Sequence, residues 1–166
     1  MDNEKKLSHV SRGGRARMVD VSGKSPTGRE AVAEAWVDVG LAVADELTKA
    51  GGLAKGEVLA TARLAGILAA KRTAELIPMC HSLGLDFVDV SASVQGPRVW
   101  LVARVSCLGR TGVEMEAMTA VSIAALTVYD MVKSANKGIT IGPVQLLEKS
   151  GGKSGLWKRE LSDEQD

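Results

Sequence analysis

The chain has 166 residues, 45% hydrophobic and 25% charged, with a formal net charge of +1. That length suits one domain with its own core, and the even charge balance argues against nucleic acid as a partner, since a general nucleic-acid binder carries a strong basic excess. No apolar run approaches the roughly 20 residues needed to cross a bilayer, the N-terminus lacks an apolar signal core, and the two cysteines, Cys80 and Cys107, make no disulfide framework, so a cytoplasmic protein without a membrane partner is expected.

In chain order, residues 16–21 alternate and read as a short strand centred on Met18 and Val19. Ser25-Pro26-Thr27 breaks it. Thr27 followed by Glu30 has the capping-box spacing and predicts a helix starting near Gly28. Val32, Trp36, Val39, Val43 and Leu47 would mark its apolar face, and Gly51-Gly52 its end. A second helix is expected over 56–77, stopped by Pro78. It is rich in alanine, and Gly66 costs up to about 1 kcal/mol of helix propensity relative to alanine, so close packing there is expected.

Two alternating runs follow: Val88, Val90, Ala92, Val94, then Val99, Leu101, Ala103, Val105. The intervening Gln95-Gly96-Pro97-Arg98 predicts a hairpin turn. After a loop at 109–112 comes a long helix over 114–135, closed by Asn136-Lys137-Gly138. A last strand over 139–147 carries Pro143, which places it at an edge or bulge. Residues 1–15 and 159–166 read as flexible tails around a single domain, 16–158. Strand, two helices, two strands, helix, strand is a ferredoxin-like α+β pattern, βαββαβ with an additional helix. Its antiparallel sheet would be covered by helices on one face, and the bare face makes a homo-oligomer the expectation.

Several motifs invite chemistry. Gly151-Gly152-Lys153-Ser154 resembles the end of a P-loop, but that pattern needs glycine at Leu147 and a long helix afterwards. What remains is a flexible lysine-bearing tail or a basic loop folding over an anionic substrate. Cys80-His81 has no partner at metal-ligand spacing, so no metal site is expected. His81 lies just past a helix exit and is either a surface residue or an acid–base group; His9 falls in the tail. Lys55, Arg63, Lys71 and Arg72 are either solvated charges or cations gathered for a polyphosphate, and Arg63, amid alanines, is a candidate for burial.

The long helix is the most telling. Glu114 and Glu116 at its start and Lys133 near its end suit the helix dipole, but Asp130 lies at the wrong end for that account. Asp130 and Lys133, three apart, share a face and form a salt bridge or an acid–base pair. At 1.5 Å per residue, Glu116 and Asp130 lie about 21 Å apart on one straight helix. Either the glutamates belong to the preceding loop, or two subunits pool opposite helix ends at one site; the second is favoured.

Four blocks, MVDVSGK, KGEVLATARLAGILAAKRTAELIPMCHSL, TGVEMEAMTAVSIAALTVYDMVK and IGPVQLLEKSGGKSG, resemble the cyclic pyranopterin monophosphate synthases over about residues 18–155. The resemblance implies a ferredoxin-like fold, a hexamer built as a trimer of dimers, and sites at subunit interfaces. It also implies a phosphorus–oxygen lyase activity in molybdenum cofactor biosynthesis. The substrate would be 3′,8-cyclo-7,8-dihydroguanosine 5′-triphosphate, converted to cyclic pyranopterin monophosphate with release of pyrophosphate. It assigns catalysis to Asp130 as base and Lys133 as acid, with Lys55 assisting. Substrate binding would fall to Met79, Cys80, His81, Glu114, Met115 and Glu116, and phosphate neutralisation to Lys71, Lys149 and Arg29. Neighbouring cations would lower the acid's pKa. The family usually reads Cys-His-Pro; Ser82 here frees one φ angle and adds an N–H after His81. No resident cofactor is implied, although magnesium could accompany the triphosphate. Rival readings are a non-catalytic nucleotide-binding domain and a structural subunit.

Overall fold

The computed structural model describes residues 8–11, 13–49 and 53–160, with only the backbone at 53–56. The elements are β1 (Thr27–Asp38), α1 (Leu41–Thr48), α2 (Leu53–Ala70), α3 (Thr73–Leu76), β2 (Phe87–Gln95), β3 (Arg98–Gly109), α4 (Glu114–Val132), β4 (Thr140–Ile141), β5 (Gln145–Ser150) and β6 (Trp157–Lys158). The sheet runs β2-β3-β1-β5-β6 with every neighbour antiparallel, and β4 pairs with the end of β1. This is the expected ferredoxin-like α+β arrangement, although its first strand lies where a helix was predicted.

The segment after Thr27 is the central strand. Ala31, Ala33, Ala35 and Val37 are fully buried on a period of two and face Val105, Ala103, Leu101 and Val99 of β3. Alanine and glutamate favour helices when isolated, but a strand paired on both sides overrides that propensity. The capping-box pattern goes unused, and the Thr27 hydroxyl is buried without a partner. Only Val43 and Leu47 of the expected apolar face are helical, in α1. Residues 16–21 make no strand: Ala16 forms one isolated bridge, to Val10.

The predicted second helix is interrupted. The Thr73 hydroxyl donates to the carbonyls of Ala69 and Ala70, at 3.3 and 3.0 Å, so α2 stops there and α3 begins after Arg72. The β2–β3 hairpin is as expected, with Val94 opposite Val99 and Gly96 turning at φ +55°. The last strand is divided, with Pro143 in the gap between β4 and β5. There Gly142 lies against the Trp36 ring, where an added Cβ would come within 2.1 Å of a ring carbon.

Helices α2 and α4 cover one sheet face. Ala117, Ala120, Val121, Ala124, Ala125 and Val128 of α4 are fully buried there. Gly66 of α2 permits a close approach, since a Cβ on it would sit 2.9 Å from the Ala120 carbonyl oxygen. By length and composition α4 could cross a membrane, against the sequence expectation of no such run, but it is the core helix of this fold. On the opposite sheet face, buried Glu34 accepts hydrogen bonds from Trp100 Nε1 at 3.0 Å and Gln145 Nε2 at 2.6 Å. Arg98 lies over the Trp36 ring, 4.2 Å from its centroid.

Candidate functional site

The start of β1, the β3–α4 loop and the end of β5 meet at one end of the sheet and enclose a cavity of about 650 Å³. Lys24, Arg29, Arg110, Lys149 and Lys153 line it against a single carboxylate, Glu114. Such an excess of cations in a concave site favours a polyanion. Lys149 Nζ meets Glu114 Oε1 at 2.8 Å, and Arg29 Nε donates to the Gly109 carbonyl at 3.4 Å. The guanidinium of Arg29 lies on Gly152, whose φ is +68°; a Cβ there would come 1.9 Å from Arg29 Nη1. At Gly151, with φ +98°, a Cβ would come 2.1 Å from the Gly28 carbonyl oxygen. The glycine pair is therefore the close-fitting cover of a cationic pocket, the basic-loop alternative of the sequence reading, and among the described residues no helix follows it.

A second cavity, of about 380 Å³, shares Lys24, Thr111, Gly112 and Glu114 with the first, so the two adjoin and the cleft comprises both. It adds Met79, Cys80, His81, Met115 and Glu116, together with Val19, Val21 and Leu83. Glu116 is 4% exposed. Burial pushes its carboxyl above the usual range, and the nearby Glu114 pushes it further. Burial also raises the Cys80 thiol, with Glu116 adding to the effect, which makes Cys80 a poor nucleophile. His81 Nε2 lies 2.7 Å from the Val19 carbonyl oxygen. A carbonyl only accepts, so Nε2 carries the proton and a neutral ring keeps Nδ1 as an acceptor. Lys71 joins His81 and Glu116 around a smaller adjoining cavity.

The cleft thus gathers Arg29, Lys149, Glu114, Met115, Glu116, Met79, Cys80 and His81, with Lys71 adjacent. It does not gather Asp130 and Lys133. These pair at 2.6 Å on the exposed far end of α4. Lys133 is raised above its ordinary value by that hydrogen bond and by the Asp130 charge, whereas neighbouring cations were expected to lower it. Helices α2 and α4 are antiparallel, since Lys71 neighbours Glu116 while Gly66 packs on Ala120 and Ala124. The first turn of α2, which holds Lys55, therefore lies at the Asp130 end; the Lys55 side chain is outside the described residues. Glu114 and Glu116 belong to the first turn of α4 and not to the loop before it, so one of the two ways of uniting the charges is removed.

Sequence reasoning missed Lys24, Arg110 and Thr111 as cleft residues. The glycines beside them, Gly23, Gly109 and Gly112, were the available signal. Arg63, expected among buried alanines, is exposed, with Nε donating to the Val90 carbonyl at 2.7 Å. Among the described residues no three of His, Cys, Asp and Glu gather as a metal ion would require.

Comparison with known proteins places residues 18–152 in a match to the model of the MoaC family. A cyclic pyranopterin monophosphate synthase from Thermomicrobium roseum is 54% identical over 156 residues, covering 93% of both chains. That of Chloroflexus aggregans is 53% identical, over 94% of this chain and 95% of its own. Cyclic pyranopterin monophosphate synthase 1 of Mycobacterium bovis is 50% identical, over 98% of this chain and 96% of its own.

Proposed function

The chain belongs to the MoaC family, and from that premise we propose that it is a cyclic pyranopterin monophosphate synthase of molybdenum cofactor biosynthesis. The observation that carries the reading is the adjacency of two cavities that share four residues: five cations line one and suit a triphosphate, and the other, lined by Met79, Cys80, His81, Met115 and Glu116, suits a guanine-derived ring. The ring end offers a carboxyl biased toward its protonated form at Glu116 and an imidazole with a free acceptor at His81. Groups of this kind can exchange protons with a bound substrate. The reaction is read as a phosphorus–oxygen lyase step: a sugar hydroxyl loses its proton and attacks the α-phosphorus, the bond to pyrophosphate breaks, and pyrophosphate leaves with its charge. Lys24, Arg29 and Lys149 would hold that leaving charge.

Asp130, Lys133 and Lys55 complete the site only if a second copy brings its far helix end to this cleft. The rise of about 1.5 Å per residue along α4 supports this, as does the placement of both glutamates inside the helix. We therefore infer a homo-oligomer, a hexamer made as a trimer of dimers, working in the cytoplasm without a resident cofactor. Magnesium fits as a companion of the phosphates, because Glu114, the one carboxylate at the cationic end, is already paired with Lys149.

Incubation of the protein with the cyclic guanosine triphosphate intermediate is expected to yield the pterin and one equivalent of pyrophosphate. Tight nucleotide binding with neither product would favour the regulatory-domain reading. Mixing Glu116→Ala with Asp130→Ala protein is expected to restore part of the activity that each lacks alone. Mixed oligomers that stay inactive would remove the two-copy site.

A further inference from the structure

Residues 1–15 were expected to fray, yet residues 9–11 and 13–17 are tied by backbone hydrogen bonds. Arg17 N–H donates to the His9 carbonyl, Ser11 N–H to the Arg15 carbonyl and Gly14 N–H to the Ser11 carbonyl, each at 2.9 Å. Arg15 N–H also donates to the Ser11 hydroxyl at 3.1 Å. Val10 and Ala16 bridge within this segment. Two residues beyond Arg17, the Val19 carbonyl receives the hydrogen bond from His81. The turn is therefore anchored to the floor of the cleft, and His9 lines the same cavity as His81 and Glu116. Among the described residues the His9 side chain is exposed and makes no hydrogen bond of its own.

An exposed histidine on a surface turn is ordinarily solvated and without consequence. Here its location decides otherwise. The cations of the cleft sit in the other cavity, apart from the shared Lys24, so His9 faces the end without the phosphate-binding excess. An imidazole presents one donor and one acceptor. Either one can meet a single carbonyl or N–H group of a guanine-derived ring.

We propose that Ser8 and His9 form a wall of the ring end of the cleft and that His9 contacts the heterocycle of the substrate. The proposal rests on the synthase reading for the identity of the substrate, but its test is a binding measurement that does not need turnover. GTP serves as a guanine-bearing probe and pyrophosphate as a probe of the phosphate end alone. His9→Ala is expected to weaken GTP about tenfold, the scale of one hydrogen bond to a bound ligand, and to leave pyrophosphate within about twofold. His9→Gln, which keeps a donor and an acceptor, is expected to recover most of the loss. Unchanged GTP binding in His9→Ala, parallel weakening of both probes, or a wild-type protein that prefers pyrophosphate to GTP would each overturn the proposal. Absence of pterin product from the wild type would instead overturn the synthase reading. Because His9 is exposed, matching thermal melts are expected for both variants.

Discussion

Replacing Gly152 with alanine perturbs the cleft at a single atom. The added Cβ would fall 1.9 Å from Arg29 Nη1 and 2.6 Å from Cζ, so the guanidinium must swing away. The backbone itself suffers less: holding alanine at φ +68° costs roughly 1–2 kcal/mol. The larger effect is on ligand binding. A guanidinium bound to phosphate is worth about 1.5–3 kcal/mol, so its displacement is expected to raise KM by roughly 10- to 150-fold. The assay is steady-state turnover of wild type, Gly152→Ala, Arg29→Ala and the double variant. If Gly152 acts through Arg29, the second substitution adds almost nothing to the first, which is the signature of coupled residues. Fully additive losses, or a normal KM in Gly152→Ala, would refute the reasoning.

Other substitutions test the scaffold and the buried carboxyl. Gly66→Ala gains up to about 1 kcal/mol of helix propensity but sets a Cβ 2.9 Å from the Ala120 carbonyl. Overpacking of about 1–3 kcal/mol should prevail, so urea unfolding should show a net loss; a stabilised variant would mean α2 and α4 are looser than described. Glu34→Ala removes the shared acceptor of two half-buried donors, Trp100 and Gln145, and is expected to cost about 1–3 kcal/mol, with Glu34→Gln milder. Glu116 has a raised carboxyl pKa in the folded chain, so its stabilising contribution is full below the ordinary carboxylate range. That contribution is lost as pH rises through the folded-state value. Glu116→Gln should therefore gain stability relative to wild type as pH rises above the ordinary carboxylate range; unfolding curves that stay parallel as pH rises would contradict the burial argument.

The parts legible in the sequence were those decided locally. The β2–β3 hairpin announced itself because alternation and a Gly-Pro turn agree, and α4 because its small apolar centre repeats at helical spacing. β1 did not, because alanines, glutamates and a tryptophan carry weak strand signals, and only pairing with both β3 and β5 makes the segment extended. The cleft divides the same way. Met79, Cys80, His81, Met115 and Glu116 stand in two compact motifs, whereas Lys24 and Arg110 enter the pocket only once the chain has placed the start of β1 beside the end of β3. The separation of Asp130 from Glu116 was readable from helix rise alone, and their placement at opposite ends of one continuous α4 bears it out.

The sheet-to-helix contact is lined by Ala31, Ala33 and Ala35 on one side and by Ala117, Ala120, Ala124 and Ala125 on the other. Alanine has no rotamers, so these positions, unlike the valines and Leu101 beside them, store no alternative side-chain arrangement that a bound molecule could select. News of ligand arrival cannot travel through the alanines by repacking. Adjustment on binding therefore falls chiefly to the loops around the mouth, with the alanine-lined slab beneath them acting as a rigid ruler.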